Sequence, residues 1–247
     1  MKQYTFFVVA GFVLYLCGCA YDPSEPGLSK PGKTIPPASG SAFTYENIPI
    51  DTNGVEHPDS SYFSIVAIAD SGITYAGKTN VTHLTTLNLK DGSSGDEYVA
   101  YESNGGISFY TGASIFSFIG LRLPDWNTFP VQTKVTSGAK VADTNISFNA
   151  IPIAVKGYDT TNYIGSANTK VSGKDIAIIN MKHSLTFNCV ATLIIQIPFN
   201  VFIITTASIA PSIGYYTNRV NEPVKIPVPG FPSFAGLRQT LVSYHLN

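Results

Sequence analysis

Val81-Thr82-His83-Leu84-Thr85-Thr86-Leu87-Asn88-Leu89 is the stretch that decides the class of fold. In an extended chain side chains alternate between two faces, so Val81, His83, Thr85, Leu87 and Leu89 share one of them. Valine and threonine suit a pleated, half-buried surface, because their branched Cβ is stiff and packs against cross-strand neighbours. Lys90-Asp91-Gly92-Ser93-Ser94-Gly95-Asp96 follows, a run of turn formers that reads as a loop.

The same texture extends in both directions. Downstream, Glu97–Glu102 and Ile107–Tyr110 flank Asn104-Gly105-Gly106, a hairpin signal. Upstream, Ala42–Ile50 is a first strand. Tyr62–Asp70 follows and ends at an Asp70-Ser71-Gly72 turn, with Ile73–Ala76 as the return. Val131–Val135, Ile146–Val155, Asp175–Met181, Leu185–Ile197 and Val201–Ile209 complete the set, while Ala113–Leu123 fits a strand or a short buried helix equally. Sustained 3.6-residue periodicity is absent. The fold class is therefore all-β. At roughly 100 residues per sandwich, the body divides into two β-sandwich domains, 42–150 and 151–247.

One stretch stands apart. From His183 to Asn218 there is no Lys, Arg, Asp or Glu, and Gln196, Pro198, Asn200 and Thr205-Thr206 interrupt it, which argues against a membrane-spanning helix. Two readings stay open: a pair of buried strands turning near Pro198-Phe199-Asn200, or a surface covered by another chain.

The N-terminus carries an address. Lys2, the apolar run from Phe6 to Leu16 and Cys17-Gly18-Cys19 have the parts of a secretory signal, and the run is too short to span a bilayer, which takes roughly 20 residues. Leu16-Cys17-Gly18-Cys19 resembles the bacterial lipobox. That resemblance implies a signal peptide over 1–18, cleavage before Cys19, and a covalent lipid on Cys19 as the only attached group. Residues 19–41 contain Pro23, Pro26, Pro31, Pro36 and Pro37 with Gly27, Gly32 and Gly40, a semi-extended tether with no apolar periodicity. Residue 20 is Ala rather than Asp, so the expected destination is the outer membrane and cell surface.

Composition narrows the chemistry. The net charge is −1 and 13% of residues are charged, with no basic cluster, so nucleic acid is not an expected partner. Once Cys17 leaves and Cys19 is lipidated, Cys189 has no cysteine to pair with, and its apolar neighbours predict a buried, inert thiol. His57, His83, His183 and His245 lie far apart, with no metal-ligand spacing. Gly-x-Ser-x-Gly and the nucleotide-binding glycine patterns are missing. Asp91, Asp96 and Glu97 match no calcium loop. The expectation is a protein that is not an enzyme and holds no metal or cofactor. Trp126, the single tryptophan, sits in Pro124-Asp125-Trp126-Asn127 and reads either as the edge of a core or as a sugar-stacking residue.

Lipobox, tether and all-β body together resemble the fimbrillin-like lipoproteins of the Bacteroidales, the subunits and tip or anchor proteins of type V pili. The most family-like stretch is Asp175-Ile176-Ala177-Ile178-Ile179-Asn180-Met181-Lys182-His183-Ser184-Leu185, a strand leading into a His-x-Leu step and then a second apolar strand, Val190–Ile197. The chain departs from the family at Thr186-Phe187-Asn188 and in the Pro-rich stretch from Ile226 to Phe234. The resemblance implies transthyretin-like, Greek-key sandwiches and head-to-tail assembly with other pilus subunits by β-strand addition, contributing to adhesion. It also implies proteolytic removal of the N-terminal segment, with Lys30, Lys33, Lys78 and Lys90 as candidate sites. The C-terminal strand 237–247 is the candidate donor, with Val242, Tyr244 and Leu246 on one face, or else an ordinary strand of the subunit's own sheet. The alternative function is a surface lipoprotein that binds glycans of host or bacterial origin through Trp126 and neighbouring tyrosines.

Overall fold

The computed structural model describes residues 34–111, 125–129, 137–148, 150–192, 195–227 and 233–247. The lipobox with Cys19, the tether as far as residue 33, the Ala113–Leu123 segment and the strand expected at Val131–Val135 lie outside the described residues. Twelve strands carry the fold: β1 (Ala42–Ile50), β2 (Tyr62–Tyr75), β3 (Lys78–Asn88), β4 (Ser94–Tyr101), β5 (Ile107–Tyr110), β6 (Trp126–Phe129), β7 (Ser137–Phe148), β8 (Ile151–Val171), β9 (Lys174–Thr192), β10 (Gln196–Ala210), β11 (Tyr215–Asn221) and β12 (Gly236–His245). A turn of 3-10 helix at Pro58–Ser60 is the only helical element among the described residues.

All-β is what the strands form, but not as two Greek-key sandwiches. They make one antiparallel sheet in the order β6-β5-β4-β3-β2-β1-β12-β11-β10-β9-β8-β7. Strands consecutive in sequence pair with one another except β6 and β7, and β12 returns to pair with β1. The supposed boundary between 150 and 151 falls in the tight β7–β8 connection, where Phe148 faces Ile151 and Ala150 takes φ +63°. The larger core draws on both sides of that boundary, from Phe43 and Leu84 to Ile179 and Tyr215.

The sheet curls on itself. Tyr101 at the end of β4 donates to the Gly214 carbonyl before β11 at 2.7 Å, and the Phe109 ring of β5 lies 6.1 Å from that of Tyr215. Edge strand β6 reaches the far half through side chains: Thr161 Oγ1 donates to the Thr128 carbonyl at 3.3 Å, and Phe129 lies 5.3 Å from the His183 ring. Among the described residues this is an up-and-down barrel whose backbone ladder is open between β6 and β7, which leaves two sheet edges. Thr34–Ser41 crosses one end of it. Thr34 is buried and donates to the Gly105 carbonyl at 2.8 Å, and Ile35 N–H donates to Pro211 at 3.1 Å. Gly214, at φ +72°, permits that crossing, since a Cβ there would stand 2.1 Å from the Ile35 carbonyl oxygen.

The hairpins β8–β9 and β9–β10 run past the barrel and enclose a second core of Ile153, Val155, Leu185, Phe187, Cys189 and Val201, covered by Val224 and Ile226. Gly157 makes room for Phe187, whose ring a Cβ would meet at 2.8 Å. Burial pushes the Cys189 thiol up to about 11, as its apolar setting predicts.

Several local expectations change. Asp70-Ser71-Gly72 is no turn: β2 passes through it with register shifts, and the chain reverses at Ala76-Gly77 instead. Ile146–Val155 is two strands. Asp175–Met181 and the strand beyond His-x-Leu are one, with His183 buried in mid-strand. In the charge-free stretch, the inward side chains Leu185, Phe187, Val201, Ala207 and Ile209 are buried, while Phe202 on the outer side and Ile197 near the β9–β10 tip are exposed.

Candidate functional site

The sequence alternation in β3 is kept, and it orients the site. Leu84 faces the core and pairs with Glu97, so His83 and its cross-strand partner Tyr98 point outward. The same logic on β5 turns Phe109 inward and Tyr110 outward, opposite Trp126 of β6. Tyr75, at the tip of β2, completes the group. The Tyr98 and Tyr75 rings stack at 3.7 Å and 5°. His83 stacks on Tyr98 at 4.8 Å. Tyr110 meets Tyr75 edge-on at 5.1 Å, and Trp126 meets Tyr110 at 5.3 Å. All five are half-buried on the outer face of β2–β6.

Polar groups flank this strip at both ends. His83 Nε2 lies 2.8 Å from Asp96 Oδ1, and Asp70 is paired with His83 across β2 and β3. At the other end Lys78 bonds Glu102 and donates to Ser108 Oγ at 3.2 Å, its Nζ 5.5 Å from the centre of the Trp126 ring. Ser108 Oγ donates in turn to Glu102 Oε1 at 2.6 Å. Burial works to raise the Glu102 carboxyl, but the bonds from Lys78 and Ser108 outweigh it and hold it below the ordinary carboxylate value. The Tyr98 phenol titrates above its ordinary value, through partial burial first and then the adjacent Tyr75 and Asp96. The Trp126 indole N–H donates to the Ala76 carbonyl at 3.0 Å, which fixes the ring over the β2–β3 tip.

A second polar cluster lies inside the barrel. Arg219 of β11 reaches Glu97 of β4 at 3.2 Å and donates from Nε to Gln239 Oε1 at 2.9 Å. Gln239 continues to Asn47, and Asn47 to Ser64, each at 2.9 Å. The Arg219 guanidinium also lies 4.4 Å from the Tyr216 ring centre. Burial opposes its charge, yet Tyr216 and Glu97 outweigh that and raise its pKa above the ordinary value. His183, with Asp159 2.8 Å away at an angle that makes no hydrogen bond, is a third buried site. Among the described residues no three His, Cys, Asp or Glu side chains gather as metal ligands.

Of the residues singled out in the sequence, Trp126 stands in the outer strip. The tyrosines beside it come from β2, β4 and β5, separated in sequence, and only strand pairing reveals them. The C-terminal residues are placed differently from the expectation. β12 lies between β1 and β11, hydrogen-bonded on both sides. A bulge opposite Thr44 and Tyr45 breaks the alternation, so that Leu241 and Tyr244 both pack toward the core while Val242 and Leu246 are exposed. Lys78 lies in the strip's ion pair, whereas Lys90 sits in the exposed β3–β4 loop.

No family model and no curated protein matches the chain. Among solved structures it is similar to a candidate lipoprotein from Parabacteroides distasonis, with TM-score 0.45 and 10% identity over 87% of this chain and 100% of that one. It is also similar to the hypothetical lipoprotein YmcC from Escherichia coli, with TM-score 0.35 and 9% identity over 83% of this chain and 84% of that one. Likenesses this loose transfer no function. No helix among the described residues is long and apolar enough to cross a membrane.

Proposed function

We propose that the protein is a lipid-anchored envelope protein that binds a saccharide, without catalysis, on the outer face of β2–β6. The observation that supports this is the continuous strip of half-exposed rings from His83 through Tyr98, Tyr75 and Tyr110 to Trp126. The barrel core is built from other side chains on the opposite face of the same strands, so the strip is surplus to the main core. Rings offer apolar contact to the C–H faces of a sugar, while Asp96, His83 and Glu102 offer hydrogen-bonding atoms for its hydroxyls. The anchor is the lipid on Cys19, and the outer membrane is its expected location.

Pilus assembly through the C-terminal strand is the weaker reading. Using β12 as a donor would take it out of the middle of its own sheet and expose β1 and β11 together. Two measurements test the proposal. Metabolic labelling with palmitate should mark the wild-type protein and not Cys19→Ala. Affinity electrophoresis in gels containing soluble polysaccharides should retard the wild type, and Tyr98→Ala should abolish the retardation. Unretarded migration of the wild type in every gel would remove the saccharide reading.

A further inference from the structure

We infer that the ligand of the strip is a neutral saccharide chain, free of carboxylate, sulfate and phosphate groups; this rests on the saccharide reading above. The argument is the balance of charge along the strip. Its ammonium, Lys78, is already bonded to Glu102 and Ser108. His83, the other basic group, contacts Asp96 and has Asp70 as its cross-strand neighbour. Asp125 immediately precedes Trp126. Among the described residues the strip thus meets carboxylates at both ends and presents one lysine, itself matched. Among the described residues of the strip an acidic polymer would find no unpaired cation, and it would bring its charges against Asp70, Asp96, Glu102 and Asp125. Such like-charge contact disfavours binding over roughly 10 Å at 0.1 M salt.

A neutral sugar suits the same inventory. Its hydroxyls donate to carboxylate oxygens, which have lone pairs to spare after one bond to His83 or Lys78. Its ring C–H groups would meet the outward edges of the mutually stacked Tyr75, Tyr98 and His83 rings and the rings of Tyr110 and Trp126 beside them. Glu102 stays ionised well into acid, since Lys78 and Ser108 hold its pKa low, so the acceptor persists across the pH range of an envelope.

Trp126 is the chain's only tryptophan and lies in the strip, so its emission reports occupancy directly. Full-length protein in detergent micelles is titrated with dextran, laminarin and yeast mannan, and with polygalacturonate and hyaluronate. At least one neutral polymer should shift the emission, with an apparent Kd that changes less than twofold between 50 and 500 mM NaCl. Neither acidic polymer should do so. The double variant Asp96→Asn, Glu102→Gln should gain acidic-polymer binding at least fivefold at low salt. Salt-sensitive binding of polygalacturonate or hyaluronate to the wild type, without any neutral ligand, would overturn the inference and leave the saccharide site standing. Silence with all five polymers, together with unretarded migration in the gels, would overturn both.

Discussion

Two clusters of aromatic rings and ion pairs occupy opposite faces of one sheet, and they are put together from nearly the same residue types. Inside, Tyr45, Tyr101, Tyr215 and Tyr216 surround the Arg219–Glu97 pair; outside, Tyr75, Tyr98, Tyr110 and Trp126 lie between His83–Asp96 and Lys78–Glu102. The difference lies in how their polar atoms are used. The inner hydroxyls of Tyr45 and Tyr101 donate to backbone carbonyls in and just before β11, which is not their sheet neighbour, at 2.6 and 2.7 Å, and so tie strands together. Burial first, and Glu97 nearby, raise these phenols far above their ordinary value, so they stay neutral donors. The outer rings lean on one another at the surface, and the bond from the Trp126 indole to the Ala76 carbonyl holds the β2–β3 tip of the same half of the sheet. Identical chemistry is architecture on one face and an offer to solvent on the other.

Removing one partner of the inner pair should have the largest effect. Arg219→Met leaves the Glu97 carboxylate, 18% exposed beside an Arg219 that is 22% exposed, with no cation; breaking a fully buried pair costs about 3–5 kcal/mol, and this partly buried one should cost about 2–3. Adding Glu97→Gln should restore a substantial part, since the stranded charge is then gone. Urea unfolding of the two single variants and the double would show this. If Arg219→Met alone costs less than about 1 kcal/mol, the inner cluster behaves as a surface pair and the contrast between the faces fails.

The outer strip should respond the other way. Tyr98→Ala removes one stacked partner and one imidazole contact, each an aromatic pair worth about 0.5–1.5 kcal/mol. Unfolding stability should therefore fall by about 1–3 kcal/mol, while polysaccharide retardation is lost entirely. A loss of stability well beyond that sum would make the strip a second core, with recognition no longer needed to explain it.

How much of this was legible follows from the range over which each feature is encoded. The β3 stretch announces its strand through alternation alone, and the shared face of His83, Thr85 and Leu87 is correct. Which face looks inward was not legible, because Leu87 is as apolar as Leu84 yet lies exposed opposite Ser94. Asn104-Gly105-Gly106 made its turn as written, with Gly105 at φ +87°. Closure of the sheet was invisible. The pairing of β1 with β12 joins residues about two hundred positions apart, and nothing local in Ala42–Ile50 names its partner. Two sandwiches of ordinary size were the default inference for a body of this length, and a single curled meander satisfies the same local pattern. Trp126 could be flagged from sequence, but its strip depends on three strand registers that bring Tyr75, Tyr98 and Tyr110 to it.

The smallest effect concerns the outer ion pair, and it sharpens the comparison by its pH dependence. Glu102 titrates below its unfolded value in the folded state, despite the opposing effect of burial, because Lys78 and Ser108 bond its ionised form. A depressed carboxyl contributes stability that is present above the unfolded pKa and is lost as pH falls through the folded one. Both side chains are about 30% exposed or less, at 27% for Lys78 and 30% for Glu102. Solvent screening therefore limits the contribution to less than about 1 kcal/mol. Glu102→Gln should be slightly less stable than wild type at pH 7, and the gap should close at a pH below the depressed pKa of the wild-type carboxyl. A gap of the same size at both values would mean that shape, not charge, holds Lys78 over Trp126. In that case the matched ammonium, on which exclusion of acidic polymers depends, would lose its basis. Arg219 on the inner face provides the control: with its pKa raised, its cation persists through the whole titration.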